Sequence, residues 1–557
     1  MKRRSFLAAP ALTLLGCGQS DDISGGFTGV DHFRGHLLRD AGNTAATWPA
    51  PSVFHTTEVL IAGGGVAGLA AAHALRLQGI DDFALLDLED SAGGNSRGGA
   101  VSGIACPLGA HYLPLPSDDA PEVQDLLEEL GLRKRVSGRW EYDERHLCHS
   151  PQERLFFNGE WQPGLLPMQG VGAATLAQYA QFSKLVAQAR KAARWTIPVS
   201  NRPLAAVQRA QAAITFIAYL DATGITDAHL RWYLDYCCRD DYGAGIATVS
   251  AWAGLHYFAS RHGFSAPGME TSEREGLLTW PEGNAWLTRR LATPLQERLR
   301  TGQIVLRIAN VKHGVVVDAF NTTTQAVERW HARRAIVALP IFVAARVVQD
   351  APDFLRQAAA RTVYAPWLVA NIHIKAPLLD RPGAPPSWDN VLYGSFQNGG
   401  GLGYVDAMHQ SLQPVPGATV LTHYRALGDG VGRVGSAPGA AAGVAGRQLL
   451  LAQPWSAWRD VILSELSAAH PDLATKTTRI DITRYGHAMA VPVPVAGNTS
   501  QIGLQTPWNM RKQLSKTEHF ALSHGRLRFA HSDWAGYSVF EEAFTLGHNA
   551  GLGLRNR

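Results

Sequence analysis

Cysteine is scarce in this chain, net charge is low, and no apolar run past the first fifteen residues is long enough to cross a bilayer. Five cysteines occur in 557 residues, with no CxxC spacing and no histidine cluster of the kind that holds zinc, so no metal site is expected. One of the five, Cys17, lies at the end of an N-terminal leader. Cys106, Cys148, Cys237 and Cys238 read as buried thiols; an oxidising compartment would permit a disulfide, but the spacing does not choose a pair. Charged residues make up 18% and the formal net charge is +4. Lys2, Arg3 and Arg4 fall within residues 1–16, which hold no acid, so loss of that stretch leaves 4 − 3 = +1. A balance so near zero gives no reason to expect a nucleic-acid partner. A hydrophobic content of 46% excludes a disordered chain. The length allows two domains, or one with a large insertion.

The leader itself is informative. Met1-Lys2-Arg3-Arg4-Ser5-Phe6-Leu7 is followed by an apolar stretch to Leu15, too short for a spanning helix. Paired arginines ahead of Phe6-Leu7 resemble a twin-arginine export signal. Leu14-Leu15-Gly16-Cys17 resembles a bacterial lipobox, in which Cys17 would carry lipid as the first mature residue; the alternative is a Sec-type signal with an incidental cysteine. The expectation is a protein on the periplasmic side of a bacterial envelope, membrane-attached through Cys17. Residues 1–16 form the export signal, and residues 17–52, rich in Gly, Ser, Asp and Thr, read as a tether.

What organises the rest is Val59-Leu60-Ile61-Ala62-Gly63-Gly64-Gly65-Val66-Ala67-Gly68. A short apolar run, Gly63-x-Gly65-x-x-Gly68 and then a helical run predict strand, tight turn and helix. Gly63 permits the turn, Gly65 lets backbone approach a pyrophosphate, and Gly68 lets helix and strand pack closely. The helix N-terminus, with Val66 and Ala67, then faces the anion. A second apolar run, Phe83 to Leu86, ends at Asp87, 87 − 68 = 19 residues past the third glycine. A carboxylate there accepts hydrogen bonds from an adenosine ribose, with Leu88 beside it. A second glycine pattern at 430–435 runs into Ser436-Ala437-Pro438 rather than a helix, and reads as a surface loop. Further on, Gly93-Gly94 leaves backbone NH groups free to face a phosphate or ribityl chain, and Asn95, Ser96 and Arg97 add donors. Gly109-Ala110-His111-Tyr112 then enters a pocket.

These stretches together resemble the N-terminal third of the flavin-containing amine oxidase superfamily, which also includes phytoene desaturases and protoporphyrinogen oxidases. Where the family has arginine after the double glycine, this chain has Asn95. Two later stretches strengthen the resemblance. Trp280-Pro281-Glu282-Gly283 and the strands over 304–317 and 333–340 are similar to the family's return to its flavin domain, with Val311 matching a residue that contacts flavin through its backbone. Leu527 to Ala543 is similar to the closing strand, turn and helix. There Asp533 matches the acid that holds the ribityl or diphosphate, and Tyr537, Ser538, Val539 and Phe540 match the helix start aimed at the flavin ring.

The resemblance implies an α/β fold: a Rossmann-like FAD-binding domain, discontinuous in sequence, with an α+β substrate domain. FAD-binding parts fall at 53–115, 279–345 and 501–557, and substrate-domain parts at 116–278 and 346–500. The first of these is largely helical from about 170 to 262, with dense aromatics (Trp232, Tyr233, Tyr236, Tyr242, Trp252, Tyr257 and Phe258) read as core or, alternatively, as a substrate wall. Arg239-Asp240-Asp241 reads as a solvated or capping cluster. No cysteine lies in the C-terminal third, which excludes a cysteinyl-flavin bond there, so FAD is expected to be held non-covalently. The segment 367–374 offers no lysine before Lys375, whereas amine oxidases place one nearby, bridged by water to the flavin. His111, Tyr112, His373, His487 and Trp508 are catalytic candidates by placement alone.

Three functions follow. The first is hydride transfer from a small-molecule amine, polyamine-like, to FAD. The second is dehydrogenation or desaturation of an apolar substrate, with oxygen or a quinone as electron acceptor across the two readings. The third is a non-catalytic flavin-binding envelope protein.

Overall fold

A computed structural model describes residues 23–41, 48–199, 204–267, 276–411, 415–429, 440–494 and 522–554. Cys17, Trp508 and the glycine pattern at 430–435 lie outside the described residues.

The described chain opens with strand β1 (Ser24–Thr28) and helix α1 (His32–Ala41). Residues 24–41 are therefore no simple tether, and two of the glycines that suggested one, Gly25 and Gly29, have a packing role. A Cβ on Gly25 (φ +141°) would sit 1.9 Å from the Ile480 carbonyl oxygen, and one on Gly29 (φ +81°) 2.7 Å from Thr483 Oγ1. Only glycine lets this segment lie so close to its neighbouring strand.

β2 (Val53–Ala62) is exposed at its start and buried from Val59 onward. It turns at Gly63 into α2 (Val66–Leu77), and β3 (Phe83–Leu86) returns parallel to β2, with Val59 opposite Phe83 and Ala62 opposite Leu86. Both strands are buried on their two faces, which accounts for their unbroken apolar runs. On the other side of β2 the chain returns as an antiparallel meander, β4 (Gln303–Val311), β5 (Gly314–Asn321) and β6 (Ala326–Val337), with β6 parallel to β2. The second sheet is built around β7 (Val363–Ile374) and β8 (Thr477–Val491), which pair antiparallel. β1 adds to its edge, parallel to β8. Strands at 419–426, 403–406, 389–392, 153–157 and 160–163 complete it.

The C-terminal end comes back to the first sheet. β9 (Leu527–Phe529) pairs in parallel with the last residues of β6, and α3 (Phe540–Leu552) lies along α2. Gly547 and Gly551 permit that approach, since a Cβ on either would come within 2.7 Å of an α2 carbonyl oxygen or closer. The fold is thus mixed α/β: a Rossmann-like sheet gathered from the beginning, middle and end of the chain, beside a second sheet with helices.

The helices of residues 173–259 pack over that second sheet. Trp232, Trp252, Tyr179, Tyr242, Phe182 and Phe216 are all fully buried there, so most of the helical aromatics are core. Cys106, Cys148, Cys237 and Cys238 are buried free thiols. Among the described residues no helix is long and apolar enough to cross a membrane.

Candidate active site

A cavity of about 1010 Å³ runs between the two sheets. Its floor at one end is the turn from β2 into α2. Gly63 adopts φ +102°, and a Cβ there would lie 2.3 Å from the Ala338 carbonyl oxygen. Gly64 donates its NH to Asp87 Oδ2 at 2.8 Å, and Glu89 donates to Asp87 Oδ1 at 2.8 Å. Asp87 is buried, and burial pushes its carboxyl up to about 6 against the pull of those two NH groups and of Arg97. The Gly65 and Gly93-Gly94 turns lie directly against each other, with the Gly93 NH donating to the Gly64 carbonyl at 2.7 Å and, among the described residues, a Cβ on Gly65 meeting only Gly94 Cα at 3.9 Å. α2 starts with no side chain capping it, so the cradle is formed by backbone and helix dipole, as a pyrophosphate requires.

Gly63, Gly65, Val66, Ala67, Asp87, Leu88, Gly93, Gly94, Asn95 and Ser96 all line the cavity. Gly68 does not. It lies beneath the floor, where a Cβ would come within 1.8 Å of the Gly63 carbonyl oxygen, the packing role its spacing predicts. The double-glycine loop is fixed by Thr288, whose hydroxyl donates to the Ser96 carbonyl at 2.9 Å. Asn95 reaches across to the other sheet and donates to the Ala488 carbonyl at 2.5 Å.

The C-terminal end closes the same cavity. Asp533 is buried among the lining residues and accepts from the Ile341 NH at 3.0 Å and from the Tyr364 hydroxyl at 2.6 Å. Burial pushes its carboxyl up, but His531, Tyr364 and the Ile341 NH more than offset this and hold it below the ordinary range. Ser538, Val539 and Phe540 line the cavity at the start of α3. Tyr537 does not: it is fully buried in the helical core, and its hydroxyl donates to Glu542 Oε1 at 2.9 Å. It sits in the bend just before the helix, and its ring packs edge-on against Trp252 and His256.

Two other expected positions also fall elsewhere. Val311 sits at the hairpin between β4 and β5, is 45% exposed and does not line the cavity; Gln303, Ile304 and Val305, at the opposite end of β4, do. A strand read from sequence alone does not show which of its ends faces the ligand. His373 lies near the far end of β7, hydrogen-bonded to Thr478 Oγ1 at 2.6 Å, and is not part of the cavity wall.

The deeper part of the cavity is aromatic. His111 stacks on Tyr424 with ring centroids 4.4 Å apart and contacts Trp388 at 5.4 Å. Tyr112 meets Trp388 edge-on at 5.8 Å, and Trp367 and Tyr485 add further wall. Burial drives His111 down to about 3 and His487, stacked on Phe342 at 4.3 Å, to about 4. Both imidazoles are neutral at pH 7.

Against this wall stand acids, two of them from the Arg239-Asp240-Asp241 stretch that by sequence reads as a solvated or capping cluster. Asp240 and Asp241, on the helix Ala228–Tyr242, line the cavity together with Glu541 from the first turn of α3. Asp241 is paired with Arg261 at 2.9 Å. Asp240 accepts from the Tyr112 hydroxyl at 3.3 Å. Burial first, and the charge of Asp241 second, push its carboxyl up to about 7, while Tyr112 and Arg261 draw it down. Glu541 is likewise raised by burial to about 7. The available signal was the aromatic density of residues 232–258; an acid in the middle of such a stretch faces an apolar interior.

The model of the family described as flavin containing amine oxidoreductase matches residues 66–550. The chain belongs to that family. It is an FAD-dependent oxidoreductase, and the glycine cradle, the Asp87 carboxylate and the α2 N-terminus fit FAD's diphosphate and adenosine in chemistry and space. Coproporphyrinogen III oxidase of Mycobacterium leprae (strain TN) is 28% identical over 321 residues, 56% of this chain and 66% of that relative, just under two thirds of its length. A putrescine oxidase structure superposes with a TM-score of 0.63 at 16% identity, covering 90% of this chain and 100% of that one. Cyclohexylamine oxidase from Brevibacterium oxydans IH-35A gives 0.60 at 18%, covering 89% and 98%. A fatty acid isomerase from P. acnes gives 0.58 at 14%, covering 88% and 97%. At these identities the three structures establish the fold.

Proposed function

We propose that this family member oxidises an amine, taking a hydride from the carbon next to nitrogen onto non-covalently held FAD. One observation carries the reading: the Asp240 carboxyl, raised to about 7, stands in the same cavity as the aromatic wall of His111, Tyr112, Trp367 and Tyr424. An alkylammonium is attracted to aromatic faces and to a carboxylate. A base near neutrality can take its proton and leave the nitrogen lone pair free to assist hydride loss. Bound FAD supplies the hydride acceptor. Tyr112 orients Asp240, the Arg261–Asp241 pair fixes the neighbouring charge, and the aromatic wall excludes water from the amine. Putrescine oxidase and cyclohexylamine oxidase, two of the fold's neighbours, are named for amines, which agrees with this substrate class. The test is anaerobic: FAD-loaded protein is mixed with mono-, di- and polyamines and flavin absorbance is followed. Bleaching by at least one amine is expected, and no bleaching by any would remove the reading.

A second reading, dehydrogenation of a C–C bond, is favoured by the coproporphyrinogen III oxidase relative. It predicts bleaching by a porphyrinogen rather than by amines. The electron acceptor is oxygen or a quinone, and peroxide formed in step with turnover separates the two. Among the described residues none of those lining the cavity is a lysine.

The leader supports a place in the bacterial envelope, after twin-arginine export and lipidation at Cys17. Ile23 is already buried in the body, 23 − 17 = 6 residues on, and six extended residues reach only about 20 Å. A lipid at Cys17 would hold the β1 edge of the second sheet close to the bilayer. Replacing Cys17 with serine should release the protein from membranes; retention on the membrane without it would remove the anchor.

A further inference from the structure

α1 belongs to neither half of the dinucleotide fingerprint, and it lies outside the residues 66–550 matched by the family. Yet Val30, His32, Gly35, His36 and Leu38 line the same cavity as Gly63 to Ala67 and Asp87 to Glu89. The segment is tied down on both sides of that cleft. Before α1, Ile23 is buried among Leu450, Trp458, Ile480 and Ile482, and β1 is paired to β8 through all five of its residues. Along α1, Arg34 donates to the Leu88 carbonyl at 3.1 Å and pairs with Asp90 at 2.8 Å, while the Asp31 NH donates to Glu89 at 3.3 Å. These contacts fall on the loop that directly follows Asp87. At the other end Arg346 donates to the Leu38 and Arg39 carbonyls, at 3.3 and 2.9 Å, satisfying acceptors in the last turn of the helix. Leu38 packs beside Leu88, Ile304 and Phe320. Among the described residues a Cβ on Gly35 would meet nothing within 4 Å, so that face of α1 is open toward the cavity.

We propose that residues 30–39 are part of the FAD site, a strap laid across its adenosine end that holds the cofactor by closing its exit. The Rossmann turn supplies the floor and the strap supplies the outer wall. A cofactor with no covalent link leaves at the rate at which such a wall opens, and Arg34 and Arg346 tie the strap itself to the loop after Asp87 and to the helix of residues 341–347. It rests only on FAD binding, so it stands or falls independently of the amine reading.

The test uses the full chain loaded with FAD. Release is followed as the rise of free-flavin fluorescence on dilution, for the parent protein, Arg34→Ala, Arg346→Ala and the double variant. The double variant should release FAD about tenfold faster or more, as losses at a binding wall appear mainly in the dissociation rate. The absorbance spectrum of the flavin still bound should be unchanged. Release at the parent rate overturns the proposal. Hydrogen exchange on the parent protein gives a readout free of any folding defect in the variants: amides of α1 should exchange more slowly with FAD bound than without. Equal exchange in the two forms would also overturn it.

Discussion

The two ends of the cavity are built on different principles. The cofactor end is made of backbone: Gly63 at φ +102°, Gly65 opposite Gly94, the uncapped start of α2 and an acid held by two NH groups. The substrate end is made of side chains from distant segments: Tyr112, Asp240, Trp367 and Tyr424 come from four separate elements. Gly63 and Gly68 leave no room for an added atom, because the competing atom is another residue's main-chain carbonyl oxygen. Side-chain sites tolerate substitution structurally and register it in chemistry.

The contrast predicts a graded set of effects. Largest is Gly68→Val, whose Cβ would fall 1.8 Å from the Gly63 carbonyl oxygen. It should cost about 3 kcal/mol or more of stability and abolish flavin uptake, seen as colourless protein with a lowered melting temperature. A yellow, stable Gly68→Val protein would break the distinction between the two ends. Next is Asp240→Asn, which should leave flavin content and melting intact while lowering kcat/KM for amines about 100-fold, the scale of a lost general base. Equal activity would remove Asp240 from the mechanism.

The pH profile sharpens the same point. Asp240 acts as base only when deprotonated, so kcat/KM should rise with pH through about 7, and this limb should vanish in Asp240→Asn. Smallest is Tyr112→Phe. The hydroxyl stabilises the Asp240 carboxylate from 3.3 Å, so its loss should move the limb to higher pH with flavin binding unaltered. A shift to lower pH, or none, would separate Tyr112 from Asp240.

The same division explains what could be read in advance. The glycine turn, Asp87 and the double glycine were legible because each states a local backbone requirement within about thirty residues. The closing segment was legible at Asp533 and Ser538. Tyr537 was not, because its ring turns into the helical core against Trp252 and His256, segments far away in sequence. Val311 failed because a strand's pattern does not reveal which end meets the cavity. The N-terminal segment failed because its glycines are equally suited to a loose tether and to close strand packing; Gly25 against Ile480 is visible only once β8 lies beside it.

Sequence by itself determined the family, the cofactor and the Rossmann-like turn, since glycine spacing and the residues between encode conformations that few other residues can adopt. Tertiary structure alone decided that Asp240 faces an aromatic interior instead of water, that His373 stands outside the site, and that α1 lies across the cofactor cleft. Those outcomes depend on which surfaces meet when segments hundreds of residues apart pack together. Burial then sets the protonation of the acids at that meeting point.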